Sequence, residues 1–164
     1  ALRKADKVAG GVRESIFQPQ WSPDGNLYFV SDRSGWWNLY RRHNHEIAAV
    51  VQMEAEFGLP QWVFGMSTYA FESARRLICS YTRNGSWQLA EINLATDSLN
   101  VIETPYTDIA SLHASAGRAV FVGGSANETA SIVQLDLAAQ TFDVLRCSSR
   151  NKIDSGYISI PAAI

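Results

Sequence analysis

The stretch QPQWSPDGNLYFVSDRSGWWNLYR (residues 18–41) decides the fold. Pro23 fixes φ at the first central position of a tight turn, Asp24 can tie that turn together through its carboxylate, and Gly25 tolerates the left-handed backbone that closes it. Leu27-Tyr28-Phe29-Val30 follows as an apolar run without alternation, the pattern of a strand buried on both faces. SDRSG (31–35) supplies a second turn, and WWNLYR (36–41) is expected to return as the partner strand of a hairpin. The stretch reads turn, strand, turn, strand.

This pattern recurs. Sliding the sequence by 50 residues lays FVSDRSGWWNLY (29–40) on CSYTRNGSWQLA (79–90), with Arg33 on Arg83, Gly35 on Gly85, Trp37 on Trp87 and Leu39 on Leu89. Sliding by 43 lays INLATDSLNVI (92–102) on LDLAAQTFDVL (135–145), with Leu94 on Leu137, Leu99 on Phe142 and Val101 on Val144. Three units result, 18–60, 61–108 and 109–151. Residues 1–17 are expected to end a preceding unit and its turn, and 152–164 to form a linker.

Each unit reads as four short strands. In the second these are QWVFGMSTYAF, RLICSYT, WQLAEINL and LNVIET, joined by ESAR, RNGS and ATDS. Helical periodicity is weak throughout. Four-stranded repeats of about 40–50 residues are the mark of β-propeller blades. The expected fold is therefore all-β, a partial β-propeller of about three four-stranded antiparallel blades. Stacked blades need apolar residues on both faces of their middle strands, so Trp21, Trp37, Trp87, Leu39 and Leu89 are assigned to blade packing. Trp36 does not recur, and it alternates with Trp37 to the opposite side of an extended chain.

Composition narrows the function. Hydrophobic residues make up 46% of the 164 and charged ones 18%, enough for one packed domain and too apolar for disorder. The formal net charge is −2, and no basic stripe exists beyond the short Arg-Arg pairs at 41–42 and 75–76, which argues against nucleic acid. No run approaches the ~20 apolar residues of a membrane span. ALRKADKVAGG (1–11) lacks the apolar core of a secretory leader, so a cytoplasmic location is expected, and the chain reads as a piece of a longer protein. Cys79 and Cys147 make no disulfide framework, and Cys79 reads as a small core residue. His43-Asn44-His45-Glu46 could offer a metal two imidazoles and a carboxylate, but a short polar segment of this kind reads as a solvated hairpin tip. No metal or cofactor is expected. Asp24, Asp32, Asp97, Asp108 and Asp136 fall at turns, where carboxylates commonly accept backbone N–H bonds. The sequons at Asn84 and Asn127 carry meaning only in an exported chain and are read as chance.

The 18–41 stretch resembles the blade motif of TolB-like and WD40-like propellers. Together with GLPQWVFGMSTYAF (58–71), ICSYTRNGSWQLAEINLAT (78–96) and IETPYTDI (102–109), it is most similar to the propeller of the prolyl oligopeptidase family of serine peptidases, in the acylaminoacyl-peptidase and dipeptidyl-aminopeptidase branch. SGYISIPAAI (155–164) is similar to the linker that enters the hydrolase domain in that family. The resemblance implies the last blades of a propeller that caps and gates a peptidase active site. It also implies a hydrolase domain of the parent chain as partner and short or N-acylated peptides as the parent's substrate. The nucleophile elbow of such a hydrolase needs G-x-S-x-G. FGMST (64–68) and VGGSAN (122–127) lack the second flanking glycine, so no catalytic residue is assigned and the chain itself is expected to be inert. Two other classes are a stand-alone protein-binding propeller of the TolB kind and a carbohydrate-processing propeller using Trp36 and an acid pair. An open array of blades also leaves uncovered end faces, so self-association is expected, as a dimer through end-blade faces or exchanged edge strands, with Leu77-Ile78-Cys79 and Ala119-Val120-Phe121-Val122 as runs apolar on both faces and without edge protection.

Overall fold

The computed structural model describes residues 5–149 and 155–159. The first sheet contains β1 (Ile16–Trp21), β2 (Leu27–Ser31), β3 (Asn38–His43) and β4 (Glu46–Ala49). The second contains β5 (Tyr69–Phe71), β6 (Arg76–Arg83), β7 (Ser86–Asn93) and β8 (Ser98–Ile102). The third contains β9 (Asp108–Ser115), β10 (Arg118–Ser125), β11 (Glu128–Asp136) and β12 (Thr141–Cys147). Within each sheet every strand pairs antiparallel with its neighbours in sequence. These are three propeller blades, and the chain is a partial β-propeller. One 3-10 turn, Ser155–Tyr157, is the sole helical element among the described residues. No helix among them is long and apolar enough to cross a membrane.

Local chemistry sets the turns. Gly25 donates its N–H to the Ser22 carbonyl at 2.9 Å and takes φ 84°, as the Ser-Pro-Asp-Gly reading requires. Asn44-His45, Asn84-Gly85 and Ala116-Gly117 each place two consecutive residues at positive φ. Paired left-handed residues match the right-handed twist of the flanking strands and make two-residue hairpins.

Two apolar clusters lie between the sheets. Tyr28, Val30 and Leu39 of the first sheet meet Leu77, Cys79, Tyr81, Ala90 and Ile92 of the second. Ile78, Leu89 and Ile102 leave the other side of the second sheet to meet Ala119, Phe121, Val133 and Leu135 of the third. Alternation along β6 and β7 thus sends successive residues into different interfaces, which is why RLICS carries no polar alternation. Each sheet has a leading face toward the sheet before it and a trailing face toward the sheet after it.

Several expectations need correction. The return strand begins at Asn38, so Trp36 and Trp37 lie in the turn ahead of it. Of QWVFGMSTYAF only Tyr69–Phe71 pairs as strand, because 61–68 is a loop crossing from one sheet to the next. Trp21 faces no second sheet among the described residues. It pairs with Leu27, which pairs with Arg42, and this row lies on the leading face of the first sheet, where Trp21 is 66% exposed. Leu77-Ile78-Cys79 is buried on both sides by neighbouring sheets and is no exposed run. Ala119 and Phe121 are buried too, leaving Val120 and Val122 half-buried on the opposite face. Most of the expected linker and Ala1–Lys4 lie outside the described residues.

Candidate functional site

Trp37 and Trp87 hold equivalent places at the trailing faces of the first two sheets. Trp37 packs half-buried against the first cluster, edge-on to Phe17 with ring centroids 6.3 Å apart. Its N–H donates to Glu56 Oε2 at 2.9 Å, and its carbonyl accepts from the Phe57 N–H at 2.7 Å. Trp87 packs against the second cluster and donates its N–H to the Thr107 carbonyl at 3.1 Å. Both tryptophans therefore fasten the connection that leads into the next sheet. A Cβ on Gly58 would overlap the Trp37 ring, so a glycine is required there. Leu39 and Leu89, two residues further on, are fully buried.

Polar ties between blades accompany this packing, and they are invisible in a linear reading because their partners are distant. Arg41 of β3 grips Asp97, in the turn between β7 and β8, through two hydrogen bonds of 3.2 and 3.1 Å. Gln18 of β1, at φ 45°, accepts from the Thr68 N–H at 2.8 Å and donates to the Tyr69 carbonyl at 2.6 Å. The Tyr69 hydroxyl returns a bond to the Gln18 carbonyl at 2.6 Å, and burial pushes that phenol's pKa far up, keeping it a donor. Ser67 bonds the backbone of Leu112 in β9 in both directions. The first strands of the three blades thus converge at one edge.

At that edge lies an exposed apolar stretch of loop. Gln61 donates to the Ile16 carbonyl at 2.8 Å and holds loop 60–66 beside the start of β1. Beyond it Trp62, Val63 and Phe64 project from the protein, Trp62 at 85% exposure. Three consecutive large apolar side chains in solvent make a contact patch, and a sequence pattern cannot tell such a run from a buried strand.

The candidate chemistry takes the following positions. His43 and His45 sit at the β3–β4 hairpin, bonded through Nδ1 to Asn26 at 2.7 Å and Arg42 at 2.9 Å respectively. No group of three or more His, Cys, Asp or Glu side chains poised for a metal occurs among the described residues. Cys79 is wholly buried, and desolvation raises its thiol pKa steeply, which makes it inert. A hydrogen bond from Ser22 lowers the Asp24 pKa, and the Ala139 and Ala138 N–H groups lower that of Asp136; both carboxylates serve turns. No serine hydroxyl is hydrogen-bonded to a histidine among the described residues; of the two near-miss strings, Ser67 lies in the loop ahead of β5 with its hydroxyl on the Leu112 carbonyl, and Ser125 ends β10.

No family model and no curated protein sequence matches the chain. Solved structures do. A puromycin-hydrolyzing peptidase of Mycobacterium tuberculosis is 32% identical over 93% of this chain, with TM-score 0.84. Prolyl oligopeptidase B of Galerina marginata aligns over 92% of this chain at 15% identity and TM-score 0.66. A putative TolB of Agrobacterium tumefaciens aligns over 84% at 14% identity and TM-score 0.62. The last two show the fold alone. This chain spans 24%, 21% and 50% of the three respectively. Fold and repeat define the class, a β-propeller segment whose described residues hold packing positions and a contact patch. The chain is thus similar to a propeller segment of the mycobacterial peptidase and shares its fold with part of prolyl oligopeptidase B, matches consistent with a propeller fragment of a prolyl oligopeptidase-family enzyme.

Proposed function

We propose that this chain is a non-catalytic part of the propeller that caps and gates the active site of a cytoplasmic serine peptidase. Its partner is the hydrolase domain of the same parent chain, and the parent's substrate is a short peptide or an N-acylated or N-aminoacylated relative of one, as in the acylaminoacyl-peptidase and dipeptidyl-aminopeptidase branch. The observation that supports this best is the 32% identity to a peptidase across nearly the whole of this chain but only about a quarter of that enzyme. The Trp62–Phe64 patch, at the edge where the first strands converge, offers the surface through which a propeller would meet a neighbouring domain.

The test is to express the parent reading frame and assay it on acyl-peptide and aminoacyl substrates. The reading expects activity in the parent, abolished by replacing a serine within a downstream G-x-S-x-G, and none in this chain alone. A parent with no hydrolase region and an export leader would favour the stand-alone TolB reading instead. Free of its parent, the chain is also expected to associate with itself.

A further inference from the structure

The offsets that align the blades also bring two gaps between sheets into correspondence. In the gap between the first and second sheets, Arg41 crosses to Asp97 and ties the two together. Fifty residues after Arg41 stands Glu91, and 43 after Asp97 stands Gln140. Neither reaches across. Gln140 turns its amide back onto the Leu137 carbonyl at 3.0 Å, and Glu91 stays within its own sheet, its Oε2 3.7 Å from Arg76 Nε. That separation is longer than a hydrogen bond, so the pair leaves both groups able to take other partners. The second and third sheets are joined here by Glu72 instead, whose Oε1 accepts the Gly117 N–H at 2.9 Å.

A cleft of about 350 Å³ stays open at this place. The register puts Arg76 beside Asn93, and Glu91 beside Asn100, on the trailing face of the second sheet. Ser73 and Arg75, from the β5–β6 turn, line it too. Ser73 Oγ accepts the Arg75 and Arg76 N–H groups at 3.3 and 3.1 Å, which leaves its own proton to be donated. Asn93 uses Oδ1 to accept the Ala95 N–H at 2.9 Å, which leaves its amide N–H groups. The Arg75 guanidinium has no partner among the described residues. The fold of the turn does not call for these arginines, since their equivalents in the first blade are Gly25 and Asn26. Both sheets beside the cleft are among the described residues, so its opening does not depend on a blade outside them.

We infer that this cleft binds a small zwitterion, an α-amino acid or a short peptide with free ends, with its carboxylate on Arg75 and its ammonium on Glu91. A guanidinium takes a carboxylate through two parallel N–H bonds, and the Ser73 hydroxyl and Asn93 amide add further donors. An ammonium group only donates, and it finds acceptors in the Glu91 carboxylate and the Asn100 side-chain carbonyl. Arg75 and Arg76 balance Glu72 and Glu91, so the lining carries no net charge. A ligand bearing both charges is matched there, whereas a phosphate would face two carboxylates. Ile92 is the one apolar residue of the lining, and its side chain belongs to the first cluster. The volume is at the lower end for small-molecule sites, so a small polar ligand fits and a large apolar side chain gains nothing. The inference is independent of the peptidase reading, since it concerns the described residues of this chain alone.

An NMR chemical-shift titration of the isotope-labelled chain with glycylglycine tests it. The expected result is saturable movement of the Ser73, Arg75 and Asn93 signals. N-acetylglycylglycine, which lacks the ammonium, and glycylglycinamide, which lacks the carboxylate, should each bind roughly ten-fold more weakly or worse. Inorganic phosphate should not displace the dipeptide. Arg75→Gln and Glu91→Gln should each weaken glycylglycine by roughly ten-fold with an unchanged melting curve. Glu91→Arg combined with Gln140→Asp, which rebuilds here the tie of the first gap, should abolish binding in a folded protein. No saturable shift, equal affinity for either blocked peptide, displacement by phosphate, or binding indifferent to Arg75→Gln, Glu91→Gln or the rebuilt tie would each overturn the inference.

Discussion

The trailing faces of the second and third sheets are built from the same repeat and end in opposite environments. Leu89 is fully buried and its equivalent Ile132 is 43% exposed; Ile102 is 4% exposed and its equivalent Leu145 is 55% exposed. β11 and β12 keep the register of β7 and β8 from Asp136 to Val133 and then bulge, so Ile132 pairs with Arg146 where Leu89 pairs with Ile102. Leu89 also faces the third sheet, whereas no sheet among the described residues faces Ile132. Blade residues are thus core residues by virtue of what stands beside the blade, and the stability of each blade is largely a nearest-neighbour quantity.

Truncation should expose this contrast most strongly at the paired positions. Leu89→Ala empties a closed interface and should cost about 2–5 kcal/mol, whereas Ile132→Ala, at an open one, should cost about 1 kcal/mol or less. Urea melts of both variants give the comparison directly, and equal losses would break it. A smaller contrast is expected within one turn. Trp37→Ala should cost about 3 kcal/mol, since the ring packs against Phe17 and fills the space that Gly58 leaves. Trp36→Ala, at an exposed side chain, should cost less than half of that. Similar midpoints for the two variants would contradict the register that sets them apart.

The smallest effect depends on pH and concerns the leading face of the first sheet, where Arg33 lies over the Phe29 and Tyr40 rings and pairs with Glu14. Burial alone would raise the Glu14 pKa, but hydrogen bonds from Ser31, Arg33 and the Gly10 N–H, with the Arg33 charge, bring it below the ordinary 4.5. A carboxylate with a lowered folded pKa adds stability that is present above its unfolded value and lost as pH falls through the folded one. Melting temperature should therefore drop below about pH 4.5 in the wild type, and Glu14→Gln should remove part of that acid slope. An identical slope in both proteins would show that the cap over Phe29 and Tyr40 does not rest on this ion pair.

The repeat was legible because packing between blades forces the same residue types to return at fixed offsets. Trp37 with Trp87, and Leu39 with Leu89, are visible for that reason. Trp21 shows the limit of such a reading, because its residue type is that of a packing residue while its burial depends on a sheet in front of it, and none of the described residues supplies one. Trp62 to Phe64 mimic a strand for the same reason, since an apolar run carries no mark of whether a partner exists. Arg41 with Asp97, and Gln18 with Thr68 and Tyr69, join positions about fifty residues apart. Nothing in the local pattern around any of them announces a partner, so such ties appear only once the sheets are placed side by side.

The central claim is that these blades serve a hydrolase without being one. The most direct measurement compares this chain and its full-length parent on acyl-peptide and aminoacyl substrates, with a serine-directed covalent inhibitor as a second readout. The account expects no turnover and no labelling of this chain, and in the parent a labelled serine outside residues 1–164 whose replacement ends activity. Turnover by this chain alone that vanishes when one of its own serines is replaced, or a parent that neither hydrolyses these substrates nor takes the label, would contradict it.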